Sequence, residues 1–289
     1  MSKFTYPNLD CLFRPKSIAI VGASDDVTKV SGQPMDYLLK AGYKGKIFPV
    51  NPGKETILGY KAYPIVTAIP EEVEAVIIVI AAAAVPKVVQ DCADKGVKAI
   101  FIGVSGFAEA HEQGKKLQDE IERIANNAGI KINGPNTNGL FNVIDRVGLG
   151  YSYAQEVVKL GKVGYASQSG ALISASVPRF AKRNVGLAYY VGVGNQVNLE
   201  LLDYVGYFLN DERVNGITMY AEGFKTPEKL IDIADKALDM EKPMAILKVG
   251  QSELSGKAAL GHTGALVGSD AVFNAICKQK GIADRKSVV

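Results

Sequence analysis

Short apolar runs alternate with longer amphipathic stretches along most of the chain. The apolar runs are rich in β-branched residues and lack polar alternation, which is typical of strands buried on both faces of a parallel sheet. In the N-terminal half such strands are predicted within SIAIVGAS, KIFPVNP, AVIIVIA, VKAIFIG and GIKINGPN. Helical spacing lies between them, as in VPKVVQDCADKG, which stops at Gly96, and in a long polar helix over residues 112–128.

The same pattern restarts in the C-terminal half. Strands are predicted within GKVGYASQSGAL, GLAYYVGVG, GITMYAEG and KPMAILKVG, and helices within LELLDYVGYFLND and PEKLIDIADKALDM and near residues 271–278. The intervening segment FNVIDRVGLGYSYAQEVVKLGK shows no clear period, and we interpret it as a linker. The predicted fold class is therefore α/β, with two domains that meet near residue 145.

The last six residues, DRKSVV, stand where a further strand is expected. A common sequencing-adapter DNA encodes these six residues in one reading frame and then a stop. We therefore interpret residues 284–289 as a non-native tail of a shortened reading frame, and a disordered native tail is the alternative. The expected domains are then residues 1–145 and 146–283.

Composition excludes several classes of protein. The chain has 289 residues, 47% of them hydrophobic, and a net charge of +3, which is too small to indicate nucleic acid or an acidic membrane as a partner. Its three cysteines have no metal-ligand spacing, so we expect neither a disulfide framework nor a metal site. The N-terminus lacks the apolar core of a secretion signal, and the longest apolar run is too short to span a bilayer. We expect a cytoplasmic protein.

Candidate ligand-binding residues follow the first two strands. The loop VGAS, Val21–Ser24, lets backbone amides approach a nucleotide phosphate at the start of the next helix, although the full GxGxxG fingerprint is absent. After the second strand stand Asn51, Pro52 and Lys54, where an NAD site would have an acidic residue. A lysine favours a phosphorylated nucleotide such as the 3′-phosphorylated adenosine of CoA.

Two further strand ends carry polar turns. GPNTNG, Gly134–Gly139, is either a ligand-binding loop or a structural turn, and both interpretations stay open. SQSGAL leads from a strand into a helix, where the amides of Ser169, Gly170 and Ala171 favour an anion. Serine is also a common N-cap, and the two roles are compatible.

The chain has two histidines. His111 lies in EAHEQGKK, which we interpret as a solvated helix face without a functional role. His262 lies in GHTGALVG, where flanking glycines leave the imidazole uncrowded, as a mobile nucleophile requires. A surface residue is the alternative. Glu222, at the end of a strand in YAEGF, is a carboxylate that can fix the tautomer of such an imidazole.

Together these segments resemble the family of nucleoside-diphosphate-forming (NDP-forming) acyl-CoA synthetases, which includes the ADP-forming acetate–CoA ligases. Succinyl-CoA synthetase α subunits are more distant relatives. LFRPKSIAIVGAS, GYKGKIFPVNP, LGYKAYPIV and INGPNTNG resemble a Rossmann-like CoA-binding domain. GKVGYASQSGAL, VGVGNQVN, YAEGF and KAALGHTGALVGSD resemble the flavodoxin-like domain that follows it. The motif order matches from about residue 12 to residue 282.

The resemblance implies a reversible reaction in three stages. Acyl-CoA and phosphate give an acyl phosphate and CoA, the acyl phosphate phosphorylates a histidine, and the phosphohistidine converts ADP or GDP to the triphosphate. His262 aligns with that histidine and Glu222 with its supporting carboxylate. The phosphate is expected at the amides of Gln168, Ser169 and Gly170. Contacts with CoA are expected at Gly22, Ala23, Ser24, Asn51, Pro52 and Lys54, with Asn136 and Thr137 nearer the thiol.

Three departures from the family pattern concern the active loop and the acyl position. Gly261 replaces the usual serine before the histidine, and Thr137 and Asn138 stand where cysteine and leucine are common. The loop after VGVGNQ is also shorter than usual. These differences leave catalysis in place but affect the acyl substrate, and acetate, a branched acid and an aryl acid all remain open.

Nothing in the chain resembles an ATP-grasp domain, which would bind ADP or ATP with magnesium. The resemblance therefore implies a β subunit or fused C-terminal domains as partner, and we expect an oligomer. A non-catalytic CoA-binding regulatory module, such as those fused to protein acyltransferases, is the alternative function, although such a module needs neither His262 nor Glu222. An NAD-linked oxidoreductase is disfavoured by Asn51.

Overall fold

Five parallel strands form the first sheet, in the order β2–β1–β5–β6–β7. The computed structural model describes residues 3–249 and 270–285. Every strand of this sheet coincides with a predicted apolar run, and a small hairpin of β3 and β4 follows β2. The strands are β1 (Ser17–Val21), β2 (Lys46–Val50), β3 (Thr56–Ile57), β4 (Tyr60–Lys61), β5 (Ala75–Ile78), β6 (Ala99–Ile102) and β7 (Lys131–Asn133).

Four α-helices accompany the first sheet, and three of them end at a glycine with a left-handed backbone: Gly42, Gly96 and Gly129. They are α1 (Asp10–Phe13), α2 (Gln33–Ala41), α3 (Val85–Lys95) and α4 (Glu112–Ala128), with single 3₁₀ turns at Val66–Ala68 and Ala82–Ala84.

His111 is exposed, as we expected, but it precedes α4 as its N-cap residue rather than lying on a face of the helix. Its Nδ1 accepts the backbone N–H of Gly114 at 2.9 Å, as an N-cap side chain does. The histidine therefore has a structural role at the helix terminus, while the predicted bounds of the helix are confirmed.

The second sheet has seven strands in the order β14–β13–β12–β10–β11–β8–β9. Its strands are β8 (Gly139–Asn142), β9 (Val147–Gly150), β10 (Leu160–Ser167), β11 (Leu187–Gly192), β12 (Gly216–Ala221), β13 (Met244–Lys248) and β14 (Ala283–Arg285). In the described part of this half the helices are α5 (Ala154–Val157), α6 (Gly170–Lys182), α7 (Leu201–Asn210), α8 (Glu228–Asp239) and α9 (Asp270–Gln279).

The parallel strands of the two sheets have the same spatial order. Numbered within its own sheet, each runs second, first, third, fourth, fifth, which is the doubly wound flavodoxin-like order. The direction of winding reverses between β1 and β5 in the first sheet and between β10 and β12 in the second. Ligands bind beyond the carboxyl ends of the strands at such a switch point. The predicted α/β class and repeated architecture are confirmed.

The segment that we interpreted as a linker is largely ordered structure. β8 pairs antiparallel with β11 and with β9, and α5 follows. Two of the four residues of β9 are glycines, which hides its period in the sequence. Both strands belong to the second sheet, so the chain passes from the first sheet to the second at residues 134–138. The domain limits 1–145 and 146–283 remain a prediction about folding units.

One hydrophobic core joins the two halves of the molecule. α3 and α4 cover one face of the first sheet, whereas its other face packs against a cluster that continues into the second sheet. Phe13, from α1, is fully buried in this shared cluster. Its ring stacks on Tyr207 with the centroids 5.1 Å apart and meets Tyr189 edge-on at 5.3 Å. The N-terminal segment therefore packs inside the second half.

The end of the described chain lies at the sheet edge. Asp284 and Arg285, which begin the predicted non-native tail, pair with β13 in β14, and the origin of these residues remains a prediction. Among the helices that the structure describes, none combines the length and hydropathy needed to cross a bilayer.

Candidate functional site

A cleft of about 1050 Å³ lies between the two sheets, at the carboxyl ends of their strands. The first sheet contributes the residues after β5 and β6, including Ile80 and Val104. The second contributes the residues after β10 and β11, including Ser169 and Asn195. The loop between β7 and β8 also lines the cleft, through Asn136, Thr137 and Asn138. This volume is at the upper end of the range for sites that hold a small molecule or cofactor.

The predicted CoA-binding loops after β1 and β2 contact each other directly. Asn51 Nδ2 donates to the carbonyl of Ala23 at 2.9 Å, and its Oδ1 accepts the N–H of Gly53 at 2.9 Å. Gly22 has a φ of 88°, and a Cβ there would come within 2.8 Å of the carbonyl oxygen of Val79. Only glycine allows this close approach of β1 and β5. A hydrogen bond therefore joins the two loops beside the switch point.

The helix after β1 begins too far along the chain to help the VGAS loop bind a phosphate. α2 starts at Gln33, so the amides of Gly22, Ala23 and Ser24 belong to a loop and have no helix dipole behind them. Lys54 is exposed and lies 3.6 Å from Asp25, which offsets part of its charge. Of the described residues that line the cleft, those nearest in sequence to Ser24 are Lys29, Val30 and Ser31, which the sequence did not indicate.

The turn GPNTNG lies directly against the start of α6. Thr137 is buried, and a Cβ on Gly170 or Gly192 would come within 3.3 or 2.5 Å of its Oγ1. Asn138 Nδ2 donates to the carbonyl of Gly170 at 3.2 Å. Thr137, predicted near the thiol, therefore lies next to the predicted phosphate site, and Asn136 lines the same cleft. The turn is thus both a structural junction and part of the cleft.

The backbone amides at the predicted phosphate site differ in availability. The N–H of Gln168 donates to the carbonyl of Tyr220 at 3.2 Å, and that of Ser169 to Ser167 Oγ at 3.2 Å. Ser169 Oγ caps α6 by accepting the N–H of Leu172 at 3.3 Å. Gly170 and Ala171 begin the helix, where an N–H has no intrahelical acceptor. Both line the cleft, so these two amides are the ones positioned for an anion.

Glu222 lies next to this helix start, at the other side of the switch point. Its side chain is 8% exposed, and the hydroxyl of Tyr220 donates to its Oε1 at 3.4 Å. Burial, and then the adjacent Glu222 carboxylate, raise the pKa of the Tyr220 hydroxyl to about 12. The phenol therefore stays protonated at neutral pH and remains a donor to the carboxylate.

His262 lies outside the described residues, as does the rest of its GHTGALVG loop. Its predicted proximity to Glu222 remains a prediction. The described chain stops at Val249, directly after β13, and resumes at α9. β13 pairs with β12, so Val249 follows a strand adjacent to the one that Glu222 follows.

Several polar residues that line the cleft escaped prediction. They are Glu109, Gln118, Asn195 and Gln196, together with Tyr151, whose hydroxyl donates to the carbonyl of Gly103 at 2.9 Å. Asn195 and Gln196 stand three and four residues after the end of the apolar strand β11, and a polar pair at that position was a usable signal. Among the described residues, no group of three or more histidine, cysteine, aspartate and glutamate side chains has the arrangement of a metal site.

Comparison with known proteins gives two matching family models. A CoA binding domain matches residues 16–142, and a succinyl-CoA ligase like flavodoxin domain matches residues 160–288. The chain is 38% identical over 279 residues to acetate–CoA ligase [ADP-forming] I subunit alpha of Pyrococcus furiosus, covering 95% of this chain and 60% of that protein. It is also 38% identical over 279 residues to acetate–CoA ligase [ADP-forming] II of Archaeoglobus fulgidus, covering 96% and 41%.

A solved structure gives the same result. The dinucleotide forming acetyl-coenzyme A synthetase 1 of Ca. Korarchaeum cryptofilum, in complex with phosphate and ADP, superimposes with a TM-score of 0.90 at 35% identity. The superposition covers 97% of this chain and 60% of that one, so the chain spans about half the length of the relatives it matches. With both models matched in order, the chain has the CoA-binding and succinyl-CoA ligase like domains that it shares with NDP-forming acyl-CoA synthetases.

Proposed function

We propose that this chain is the CoA- and phosphate-handling part of an acid–thiol ligase. The complete enzyme would interconvert acyl-CoA, ADP or GDP, and phosphate with a carboxylic acid, CoA, and ATP or GTP. One observation carries the proposal: the strand ends of a CoA-binding domain and the start of α6 line a single cleft, in which Gln168 is hydrogen-bonded to the backbone of Glu222. A thioester and an inorganic phosphate bound there would be neighbours.

In the first stage, an oxygen of phosphate attacks the thioester carbonyl. The C–S bond breaks, CoA leaves as its thiol after taking a proton, and an acyl phosphate remains. The amides of Gly170 and Ala171 suit the phosphate, because a helix start supplies free N–H groups and a favourable dipole. Asn136 and Thr137, which line the same cleft on the adjacent turn, suit the thioester end of CoA. The loops after β1 and β2 suit its nucleotide end.

In the second stage, a nitrogen of His262 attacks the phosphorus of the acyl phosphate. The bond from phosphorus to the acyl oxygen breaks, the carboxylate leaves, and a phosphohistidine remains. Glu222 would accept a hydrogen bond from the other ring nitrogen, which fixes the tautomer and supports charge on the ring. A carboxylate that is buried and already accepts a hydrogen bond from the Tyr220 hydroxyl suits this task, because it needs little rearrangement.

The remaining stage needs a partner. We propose an ATP-grasp domain, as a β subunit or a fused C-terminal part, that binds ADP or ATP with magnesium and takes the phosphoryl group from His262. The share of each relative that this chain matches, 41% and 60%, supports such a division of the enzyme. We also propose an oligomeric, cytoplasmic enzyme, and the three free thiols, Cys11, Cys92 and Cys277, suit a reducing compartment.

A single-turnover assay on this chain alone tests the proposal. The protein is mixed with acetyl-CoA and ³²P-labelled phosphate, because the two curated relatives are named acetate–CoA ligases. We expect phosphate-dependent release of one thiol per chain, and protein-bound label that is stable to base and labile to acid. Branched and aryl acyl-CoAs serve as alternative substrates.

The variants His262→Asn and His111→Asn form a matched pair for this assay. We expect the first to lose the label and the second to keep it, because His111 caps α4 outside the cleft. Binding of CoA without thiol release or label, with any of the acyl groups, would instead favour the regulatory module. Label on the His262→Asn protein would contradict the proposed phosphohistidine.

A further inference from the structure

A polar network crosses the wall of the cleft between the two halves of the chain. It joins Glu109, just before α4, and Gln118, on α4, to Asn195, which follows β11. Asn195 Nδ2 donates to Glu109 Oε2 at 2.5 Å and to Gln118 Oε1 at 2.9 Å. The other carboxylate oxygen of Glu109 accepts the N–H groups of Gly106 and Phe107 at 2.7 and 3.2 Å.

These contacts determine how the amide of Asn195 is turned. Both acceptors lie on the Nδ2 side, so a flipped amide would place its oxygen against the Glu109 carboxylate. The backbone is also held, because the N–H of Asn195 donates to the carbonyl of Pro135 at 2.9 Å. With Nδ2 committed, Oδ1 points to the loop between β7 and β8, where Asn136 Nδ2 donates to it at 3.4 Å.

Asn136 is the residue that this network orients. Its backbone is already fixed, with a left-handed φ of 59° and an N–H that donates to the carbonyl of Val104 at 3.0 Å. The remaining freedom is rotation of the side chain, and the bond to Asn195 opposes it. A primary amide has a second N–H and an oxygen with two acceptor sites, which remain available for a ligand.

We propose that Asn195 is a positioning residue for the acyl-transfer step. It transmits the fixed position of the Glu109 carboxylate to the amide of Asn136, which then holds the thioester end of acyl-CoA against the phosphate. This inference rests on the proposed function, and it assigns roles to Asn195 and Glu109 in addition to the residues predicted from the sequence. A small misplacement of a group that orients a substrate lowers a rate by as much as about 100-fold.

The test uses phosphate-dependent thiol release from acetyl-CoA by the full chain, together with calorimetric affinity for CoA. In Asn195→Asp two acceptor carboxylates face each other, so we expect the rate to fall about 10- to 100-fold with CoA affinity unchanged within twofold. Lowering the pH should restore part of this loss, because a protonated Asp carboxyl donates to Glu109 again. Asn215→Asp, exposed and outside the cleft, is the matched control and should behave as wild type.

A double variant separates positioning from general damage. In Asn195→Asp with Glu109→Gln, donor and acceptor are exchanged, since the new glutamine can donate to the new aspartate. We expect the double variant to release thiol at least fivefold faster than Asn195→Asp alone. An Asn195→Asp rate equal to wild type, a parallel loss of CoA affinity, or a double variant slower than both single variants would overturn the inference. A wild-type chain without thiol release would overturn the proposed function itself, and the inference with it.

Discussion

The side chain of Gln168 is hydrogen-bonded to the backbone at Glu222. Its Oε1 accepts the N–H of Glu222 and, at 3.1 Å, that of Gly223, while its Nε2 donates to the carbonyl of Gly223 at 2.7 Å. Gln168 is 6% exposed, so the three bonds lie in a region of low polarity, where they are strong. Gln168, the first residue of the predicted phosphate site, thereby fixes the backbone of the turn that carries the Glu222 carboxylate.

Replacing Gln168 should therefore uncouple the two strand ends. Gln168→Ala leaves buried backbone groups of the turn without partners, which costs about 1–3 kcal/mol for each unsatisfied group. We expect a lower free energy of unfolding in urea and at least a tenfold slower formation of the phosphorylated protein. Gln90→Ala, on the exposed side of α3, is the matched control and should change neither quantity. A Gln168→Ala protein with wild-type labelling would show that Glu222 does not depend on this contact.

Thr137 lies so close to Gly192 that a side chain at position 192 should destabilise the fold. A Cβ at Gly192 would lie 2.5 Å from Thr137 Oγ1, and Thr137 is buried with little room to move. Gly192→Ala should lower the free energy of unfolding by about 1–3 kcal/mol, as overpacking in cores does. Adding Thr137→Ala removes the clashing hydroxyl, so the double variant should be more stable than Gly192→Ala alone. Gly53→Ala, where a Cβ meets only Asn51 Oδ1 at 3.5 Å, is the control for glycine replacement.

Local pattern was sufficient to predict most of the elements. Apolar runs marked the strands of the parallel sheets because burial on both faces excludes polar side chains. α4 was predicted with its observed bounds, since its apolar stripe is long and Gly129 ends it. Glu222 and Gly170 were chosen as candidate site residues for a related reason, because both follow the end of a recognisable strand.

Features that depend on distant contacts were not predictable in this way. β9 is half glycine, so its burial comes from its neighbours rather than from its own side chains. Asn195 is oriented by a hydrogen bond to Glu109, 86 residues earlier, and the sequence around either residue does not indicate this contact. The amide of Ser169 was predicted to bind phosphate, yet a side chain two residues before it takes that donor. A single strand-to-helix motif does not reveal which of its amides the protein itself uses.

Phe13 gives a further stability prediction about the N-terminal segment. Its ring is fully buried among four aromatic rings of the second half: Tyr189, Tyr204, Tyr207 and Phe208. Phe13→Ala should lower the free energy of unfolding by about 3–5 kcal/mol, which a urea titration followed by circular dichroism can measure. Leu39→Ala removes a side chain that is 38% exposed and should cost far less. Equal losses for the two variants would show that α1 is not packed as described.

The Glu109 carboxylate should make stability depend on pH. Burial raises its pKa, but the hydrogen bonds from Asn195 and from the N–H groups of Gly106 and Phe107 outweigh burial, so the net pKa is lowered. A group whose pKa is depressed by folding stabilises the protein above its unfolded pKa, about 4.3 for glutamate, and loses that contribution as the pH falls through the folded value. The gap in unfolding free energy between wild type and Glu109→Gln should therefore be constant near neutral pH and shrink below about pH 4.3. Asn195→Ala removes one of the hydrogen bonds that lower the pKa of Glu109. The difference in unfolding free energy between wild type and Asn195→Ala should therefore also shrink below about pH 4.3. Urea titrations at stepped pH measure both gaps, and a gap that widens on acidification would mean that the carboxylate is not held by these donors.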